Sequence, residues 1–350
     1  MRRSASAGRL WIGVLICVLA AAALVGYRQA NDGQKSSGKE PSSGEKGVTL
    51  RYGSADAKEA AVVQGLFAFK KYVEEASKGA IQVEPYINGV LGGDRELCEA
   101  LQLGTVDLCI VMGGILANYD EAFNIFGLPY LWQSKEASYR AADGEFGALM
   151  TERAGKFGFK LLGYGDGGAY QIGNTGKTIA SKADLKGLKL RVPEIDVDIR
   201  YFSALGATPT PISFSETYTA LEQRVVNGLE LPIELMYCSQ YFDALDSITL
   251  SNHFHCLFPI LMSFSAWDKL SPEQQKIVMD GIAKQVEVNR QVAMAAEAKY
   301  IKIFKDLGKT VHTMSDEAMN EFIAIGKTIQ KEYESKIDPA LIELARSYNH

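Results

Sequence analysis

The stretch DLKGLKLRVPEIDVDIRYFSALGATPTPISFSETYTALEQRVVNGLELP, Asp184–Pro232, decides the fold. Leu188, Leu190 and Val192 alternate with Lys189 and Arg191, the pattern of a strand with one apolar face. Pro193 stops the strand and leaves Arg191 at its carboxyl end. In open α/β sheets ligands bind outside the carboxyl ends of the strands, so Arg191 is the first candidate binding residue. An arginine so placed is, taken alone, more often a solvated charge or half of a structural ion pair. The rest of the chain decides between these readings.

Upstream, the pattern from Val48 reads strand (48–52), helix (60–76), strand (81–87), helix (95–103), strand (106–112). Val62, Leu66, Phe69 and Val73 recur at helical spacing and supply a buried stripe. Strands alternating with helices of this length predict an α/β fold whose sheet is covered on both faces. The plan then recurs. ALQLGTVDL (Ala100–Leu108) is echoed by ALEQRVVNGLEL (Ala220–Leu231), an Ala-Leu helix feeding a strand through a short turn. Glu96 and Glu216 open the two helices, where a carboxylate suits the positive end of the dipole. The echo predicts two lobes built alike. Between them, FKLLGYGDGGAYQIGNTGK (Phe159–Lys177) passes a glycine cluster between extended runs, as a hinge requires. Leu250–Phe264 reads as a strand crossing back, and from Pro272 to about Leu307 one long helix is positioned to brace both lobes. Ser315–Lys336 adds one or two amphipathic helices.

The resulting division is a leader over 1–26, a linker over 27–47, a first lobe of 48–165 with 254–295, and a second of 166–253 with 296–350. A chain of 350 residues suits two domains. Hydrophobic content of 47%, charged content of 23% and a net charge of -5 describe an ordinary globular protein without the basic field a nucleic-acid partner needs. Arg2, Arg3 and Arg9 precede an apolar run, Leu10–Gly26, and then a tether rich in Gly, Ser and Lys. That is the layout of an export signal, with Ala21 and Ala23 offering a cleavage site. Tyr27 stands where a lipoprotein would carry cysteine, so export with cleavage is favoured over a retained anchor.

Catalytic and cofactor motifs fail on context. Gly163, Gly165 and Gly168 spell a dinucleotide fingerprint, but the chain continues as Tyr170, Ile172 and Gly173, extended rather than helical. His253 and His255 share a strand face without a third ligand, which favours a structural role over a metal. Cys98, Cys109, Cys238 and Cys256 form no C-x-x-C pair, and Cys17 lies in the leader. No nucleophile elbow or zinc-protease helix occurs, so neither catalysis nor a cofactor or metal is expected.

LKGLKLRVP, LGATPTPISFSETYTAL and VVNGLELP, with GDRELCEALQLGTVDL upstream, closely resemble the substrate-binding proteins of tripartite ATP-independent periplasmic (TRAP) transporters, of the dicarboxylate-type (DctP-like) branch. The likeness runs from about Val48 to the tail. It implies a two-lobed periplasmic-binding-protein fold with a hinge and a helix spanning both lobes. It also implies an exported receptor that closes on an organic acid and delivers it to integral-membrane permease subunits. In that family the arginine of the LKLRV strand grips the substrate carboxylate, a role that falls here to Arg191. Guanidinium and carboxylate match as a planar, charge-assisted fork.

The departures bear on specificity. Where the family often carries a second arginine, alignment places Tyr170; where it carries an asparagine, Leu231. Phe214 keeps the aromatic place of the P-x-x-F-S-E segment, and on the first lobe Ala55, Met112 and Ile115 fall at positions able to contact solute. Core packing is the plain alternative for Met112 and Phe214. Tyr170 offers a hydroxyl in place of the missing cation. Glu234, just past Pro232, is either a surface charge or a partner for a ligand amine or hydroxyl. A pocket so short of hydrogen-bonding groups predicts a monocarboxylate with an apolar or modestly polar body, such as a 2-oxo or aromatic acid. The alternatives are a C4-dicarboxylate or sugar acid, a membrane-tethered sensor serving a signalling partner and, more distantly, a secreted hydrolase.

Overall fold

The computed structural model describes residues 47–350; the leader, with most of the linker, lies outside the described residues. The first lobe opens as read: β1 (Val48–Gly53), α1 (Ala61–Ala76), β2 (Ile81–Tyr86), α2 (Asp94–Gln102) and β3 (Leu108–Ile110). The last strand is shorter than expected, because beyond Ile110 the chain turns through Met112 into a 3-10 segment, Gly113–Asn118. The α1 stripe of Val62, Leu66, Phe69 and Val73 is buried. Gly93 caps α2, its N–H donating at 2.7 Å to the Glu96 carboxylate. The helices α3 (Lys135–Asp143) and α4 (Glu145–Gly155) then lead into β4 (Phe159–Asn174).

β4 joins the two halves. Phe159–Ala169 pairs with β9 (His255–Ser263), whereas Tyr170–Asn174 pairs with β7 (Gly228–Pro232) and with β8 (Ser247–Leu250). The glycines of the false fingerprint all lie in this strand, and no helix opens at Gly168. Gly168 has φ +97°, and a Cβ there would approach Pro232 Cβ to 2.8 Å, so the crossing requires glycine.

The second lobe runs β5 (Lys189–Val192), α5 (Asp196–Ala204), β6 (Thr208–Pro211), α6 (Thr217–Glu222), β7 and α7 (Ile233–Cys238). β1 pairs in parallel with both β2 and β3, as β5 does with β6 and β7. The Asp107 N–H donates to Arg51 O at 3.0 Å, and the Asn227 N–H donates to Lys189 O at 2.8 Å. The sequence echo thus marks equivalent places in two like-built units. β5 departs from the one-faced strand expected of it: Leu190, Arg191 and Val192 are all buried and Lys189 alone is exposed. A parallel strand with neighbours on both sides and helices on its faces has no solvent side.

After β9 come the short α8 (Phe264–Trp267), the 35-residue α9 (Pro272–Asp306), β10 (Thr310–Thr313), α10 (Asp316–Tyr333) and α11 (Pro339–Ser347). Ser271 and Gln274 form a capping box at the start of α9, with Pro272 at its first turn. This helix packs along α1, where a Cβ on Gly65 would meet Gln285 O at 2.8 Å. It is tied to β4 by Asn289, whose Oδ1 accepts from the Asp166 N–H at 2.6 Å while its Nδ2 donates to Asp166 O at 3.1 Å. Toward the second lobe Tyr300 Oη lies 3.4 Å from Cys238 Sγ at the end of α7, so the long helix braces both lobes as expected, and the architecture is the two-lobed one. The tail differs in one respect. The sequence reading grouped 296–350 with the second lobe, yet α11 docks on the first: Trp132 Nε1 donates to Ala345 O at 3.2 Å, and Tyr348 Oη accepts from the Glu145 N–H at 3.0 Å.

Candidate functional site

Segments following β1, β3, β5 and β6 converge with β7 on a cleft enclosing about 530 Å³, counting its open mouth. Arg191, Tyr170, Phe214, Leu231, Met112 and Ala55, named from the sequence, all line it, as does Ile115. Glu234 does not. Pro232 ends β7, and the first turn of α7 carries Glu234 away from this cleft to Ala61, whose N–H it accepts at 2.7 Å. It is a buried group rather than a surface charge, and it lies outside this cleft; burial pushes its carboxyl up to about 7, against the favourable Ala61 bond.

Arg191 is 3% exposed. Its Nε donates to Ile212 O at 2.9 Å, which fixes the guanidinium plane. Its two Nη groups donate to no described residue, and among the described residues no carboxylate comes within 4.0 Å of the guanidinium. Asp198 and Glu230 lie close enough to feel its charge, but burial holds both carboxyls well above the usual range despite that pull. Both Asp198 oxygens and Glu230 Oε1 lack hydrogen-bond partners, which suits neutral acids better than anions. Neither acid forms a hydrogen bond with the guanidinium.

Tyr170 is almost fully buried at the crossing point of β4; its hydroxyl lies 3.5 Å from Met112 Sδ, so its nearest partner is a weak acceptor. Behind it His253 contacts Ser251 Oγ through Nδ1 at 2.8 Å and faces Glu230 Oε2 through Nε2 at 3.4 Å. Burial lowers His253 to about 3 and half-buried His255 to about 4, so both are neutral. Among the described residues no cluster of three metal-ligating side chains occurs. Cys98, Cys109, Cys238 and Cys256 are free thiols.

The expectation of a cleft short of hydrogen-bonding groups is wrong. Asp56 and Asp94 both line it, with Ser213, and an Arg95–Glu194 pair stands 4.0 Å apart at the same cleft. Asp56 is buried, its Oδ2 accepting from Ser54 Oγ at 3.0 Å. Burial, then the Asp94 charge, push its carboxyl up to about 7. Asp94 is half-buried and raised by desolvation to about 6, offset by the Met112 N–H, which donates to Oδ2 at 2.9 Å, and by Arg191. A signal existed in the sequence. The equivalence of Arg51 and Lys189 places Asp56 opposite Glu194 in the repeat, and both line the cleft.

A buried cation with no ion-pair partner among the described residues thus stands at the carboxyl end of a parallel strand, between two repeated units. Residues 52–336 match the model of DctP, bacterial extracellular solute-binding protein family 7. The chain belongs to this family. The TRAP-type solute-binding protein described here is 29% identical over 300 residues to a solute-binding protein of Verminephrobacter eiseniae, covering 86% of this chain and 89% of the relative. It is 28% identical over 266 residues to the C4-dicarboxylate-binding periplasmic protein of Rhodobacter capsulatus, covering 75% and 79%. A sugar acid binding protein of Advenella mimigardefordensis in complex with galactonate superposes with a TM-score of 0.85 at 26% identity, covering 87% of this chain and 99% of that one. A TRAP periplasmic solute binding protein from Sulfurospirillum deleyianum with bound succinate gives 0.82 at 27%, covering 86% and 99%. The family is one of transport receptors that bind organic acids, and the R. capsulatus relative is periplasmic.

Proposed function

We propose that this solute-binding protein captures a monocarboxylate on Arg191 in the periplasm and delivers it to the membrane subunits of a TRAP-type permease. The observation that carries the reading is the buried guanidinium whose Nη groups have no partner among the described residues. A bidentate carboxylate satisfies two donors at once, and hydrogen bonds to charged groups are worth about 1.5–3 kcal/mol each. Micromolar affinity needs roughly 8 kcal/mol, so enclosure by Met112, Ile115, Leu231, Leu235 and Phe258 supplies the remainder.

Asp56 and Asp94 bear on the choice between one carboxylate and two. A second carboxylate entering this cleft meets Asp56 and Asp94, and the further cation lining it, Arg95, already faces Glu99 at 3.2 Å and Glu194 at 4.0 Å. Succinate and galactonate are ligands of the relatives named above; this chain's lining favours a single carboxylate. Of the apolar or modestly polar body read from the sequence, the polar option is the stronger, because buried Asp56 and half-buried Asp94 border the space it would fill.

We take the lobes to be divided where β4 changes partners, between Ala169 and Tyr170, and again between β8 and β9. Only the closed arrangement touches the solute from both sides, so binding favours closure. A thermal-shift screen of mono- and dicarboxylic acids tests the reading. Stabilisation by monocarboxylates that is lost in Arg191→Ala supports it. Stabilisation only by dicarboxylates, or stabilisation that survives the substitution, contradicts it.

A further inference from the structure

We propose that Asp56 is a specificity-determining residue that receives a cationic nitrogen, so that the captured acid is a zwitterion with its carboxylate on Arg191. The inference rests on the Arg191 reading above and asks what stands at the rest of the solute.

Two oppositely charged side chains line the same cleft, each 3% exposed and neither paired with the other. Arg191 keeps two Nη groups without described partners. Asp56 engages one oxygen with Ser54 Oγ, while Oδ1 accepts from no other described residue. Among the described residues no Lys, Arg or His nitrogen lies within 4.0 Å of its carboxylate. A buried ion without a counter-charge is costly, and an empty binding cleft is where such a cost is relieved by a ligand. Asp94 is less available, since its Oδ2 already accepts the Met112 N–H.

The charge balance selects the ligand class. Arg95 and Glu194 oppose each other at the cleft, which leaves Arg191 against Asp56 and Asp94. A dicarboxylate adds two negative charges to that set and a plain acid adds one. A zwitterion adds none and gives Arg191 and Asp56 a partner each, while Asp94 keeps the Met112 N–H. A hydroxyl would donate one hydrogen bond to Asp56 but leave its charge uncompensated.

Proton linkage gives a second readout. Asp56 faces Asp94 from α2, Glu234 from α7 and Tyr241 from the turn that follows it. Its carboxyl, raised by burial and by Asp94 to about 7, is only partly ionised at neutral pH. A cation placed on it expels the remaining proton, whereas an added anion draws protons in.

The experiment is titration calorimetry at pH 7 with five six-carbon probes: hexanoate, 6-hydroxyhexanoate, hexanedioate, 2-aminohexanoate and 6-aminohexanoate. Each is run in two buffers of different ionisation heat. We expect one of the amino acids to bind at least about ten-fold tighter than the other three classes, with net proton release. Asp56→Asn should bring that amino acid and hexanoate to within about three-fold of each other. The inference is overturned if hexanoate, the hydroxy acid or the diacid binds as well as both amino acids, if no probe binds, or if Asp56→Asn keeps the preference. Should that variant fail to fold, the wild-type ranking and the sign of proton exchange still decide. Probes that bind Arg191→Ala as they bind wild type count instead against the carboxylate anchor.

Discussion

Glu234 Oε1 accepts the Ala61 N–H at 2.7 Å, joining the first turn of α7 in the second lobe to the first turn of α1 in the first. Ala60, at the N-cap of α1, has no side chain able to cap the helix, so Glu234 supplies the missing acceptor from across the molecule. A carboxylate there also meets the positive end of the helix dipole. The bond links parts of the chain that must separate if the lobes open.

Glu234→Ala should therefore weaken solute binding with the Arg191 site intact. The loss of a charge-assisted bond of about 1.5–3 kcal/mol corresponds to roughly ten- to a hundred-fold in affinity if the bond exists only in the closed form. Glu234→Gln keeps an acceptor and should lose less. Calorimetry on both variants checks this; equal affinity in wild type and Glu234→Ala would mean the contact persists in the open form.

The buried acids set a pH dependence whose sign is fixed. Asp56, Asp94 and Glu234 are raised to about 7, 6 and 7, mainly by desolvation. A raised acid binds more protons folded than unfolded, so its contribution is complete below the unfolded value and is lost as pH rises through the folded one. The ligand-free protein should lose stability from these groups between about pH 4.5 and pH 7.5. Asp56→Asn removes one of them. Its stability should exceed that of wild type at pH 8 by on the order of 1–3 kcal/mol, seen as a higher thermal transition, and converge towards it near pH 5. A variant less stable than wild type at pH 8 would contradict the burial argument.

Closure has a steric signature at Gly93. A Cβ on this residue would run into Ser213 Oγ, where the start of α2 meets the segment after β6. Gly93→Leu should hold these segments apart and lower affinity by about ten-fold or more, while leaving the thermal transition of the empty protein within a few degrees. Small-angle scattering of the variant with solute should show the larger radius. Wild-type affinity in the variant would remove Gly93–Ser213 from the closing interface.

Much of this arrangement was legible because periodicity reports burial directly. The α1 stripe, the long α9 and the echo of Ala100–Leu108 in Ala220–Leu231 each correspond to packed elements. Arg191 was visible because a proline ends its strand. Three features were not. The acidic lining comes from Asp56, in the turn after β1, and Asp94, opening α2; local periodicity does not state which way such residues point, and only the Arg51–Lys189 equivalence of the repeat sets Asp56 beside Glu194. Glu234 was misplaced because the direction of a six-residue helix after Pro232 depends on tertiary packing. The docking of α11 on the first lobe depends on contacts of Trp132 and Tyr348 separated by more than 200 positions, beyond any local signal.

The affinity of Arg191→Ala for the acid that most stabilises the wild-type protein tests the central claim most directly. Among the described residues Arg191 makes one side-chain bond, to Ile212 O, so the variant should fold and its thermal transition provides the control. Losing one partner of a buried charge pair costs about 2–5 kcal/mol, so affinity should fall by about 30-fold or more. Binding within about two-fold of wild type would mean the carboxylate is held elsewhere.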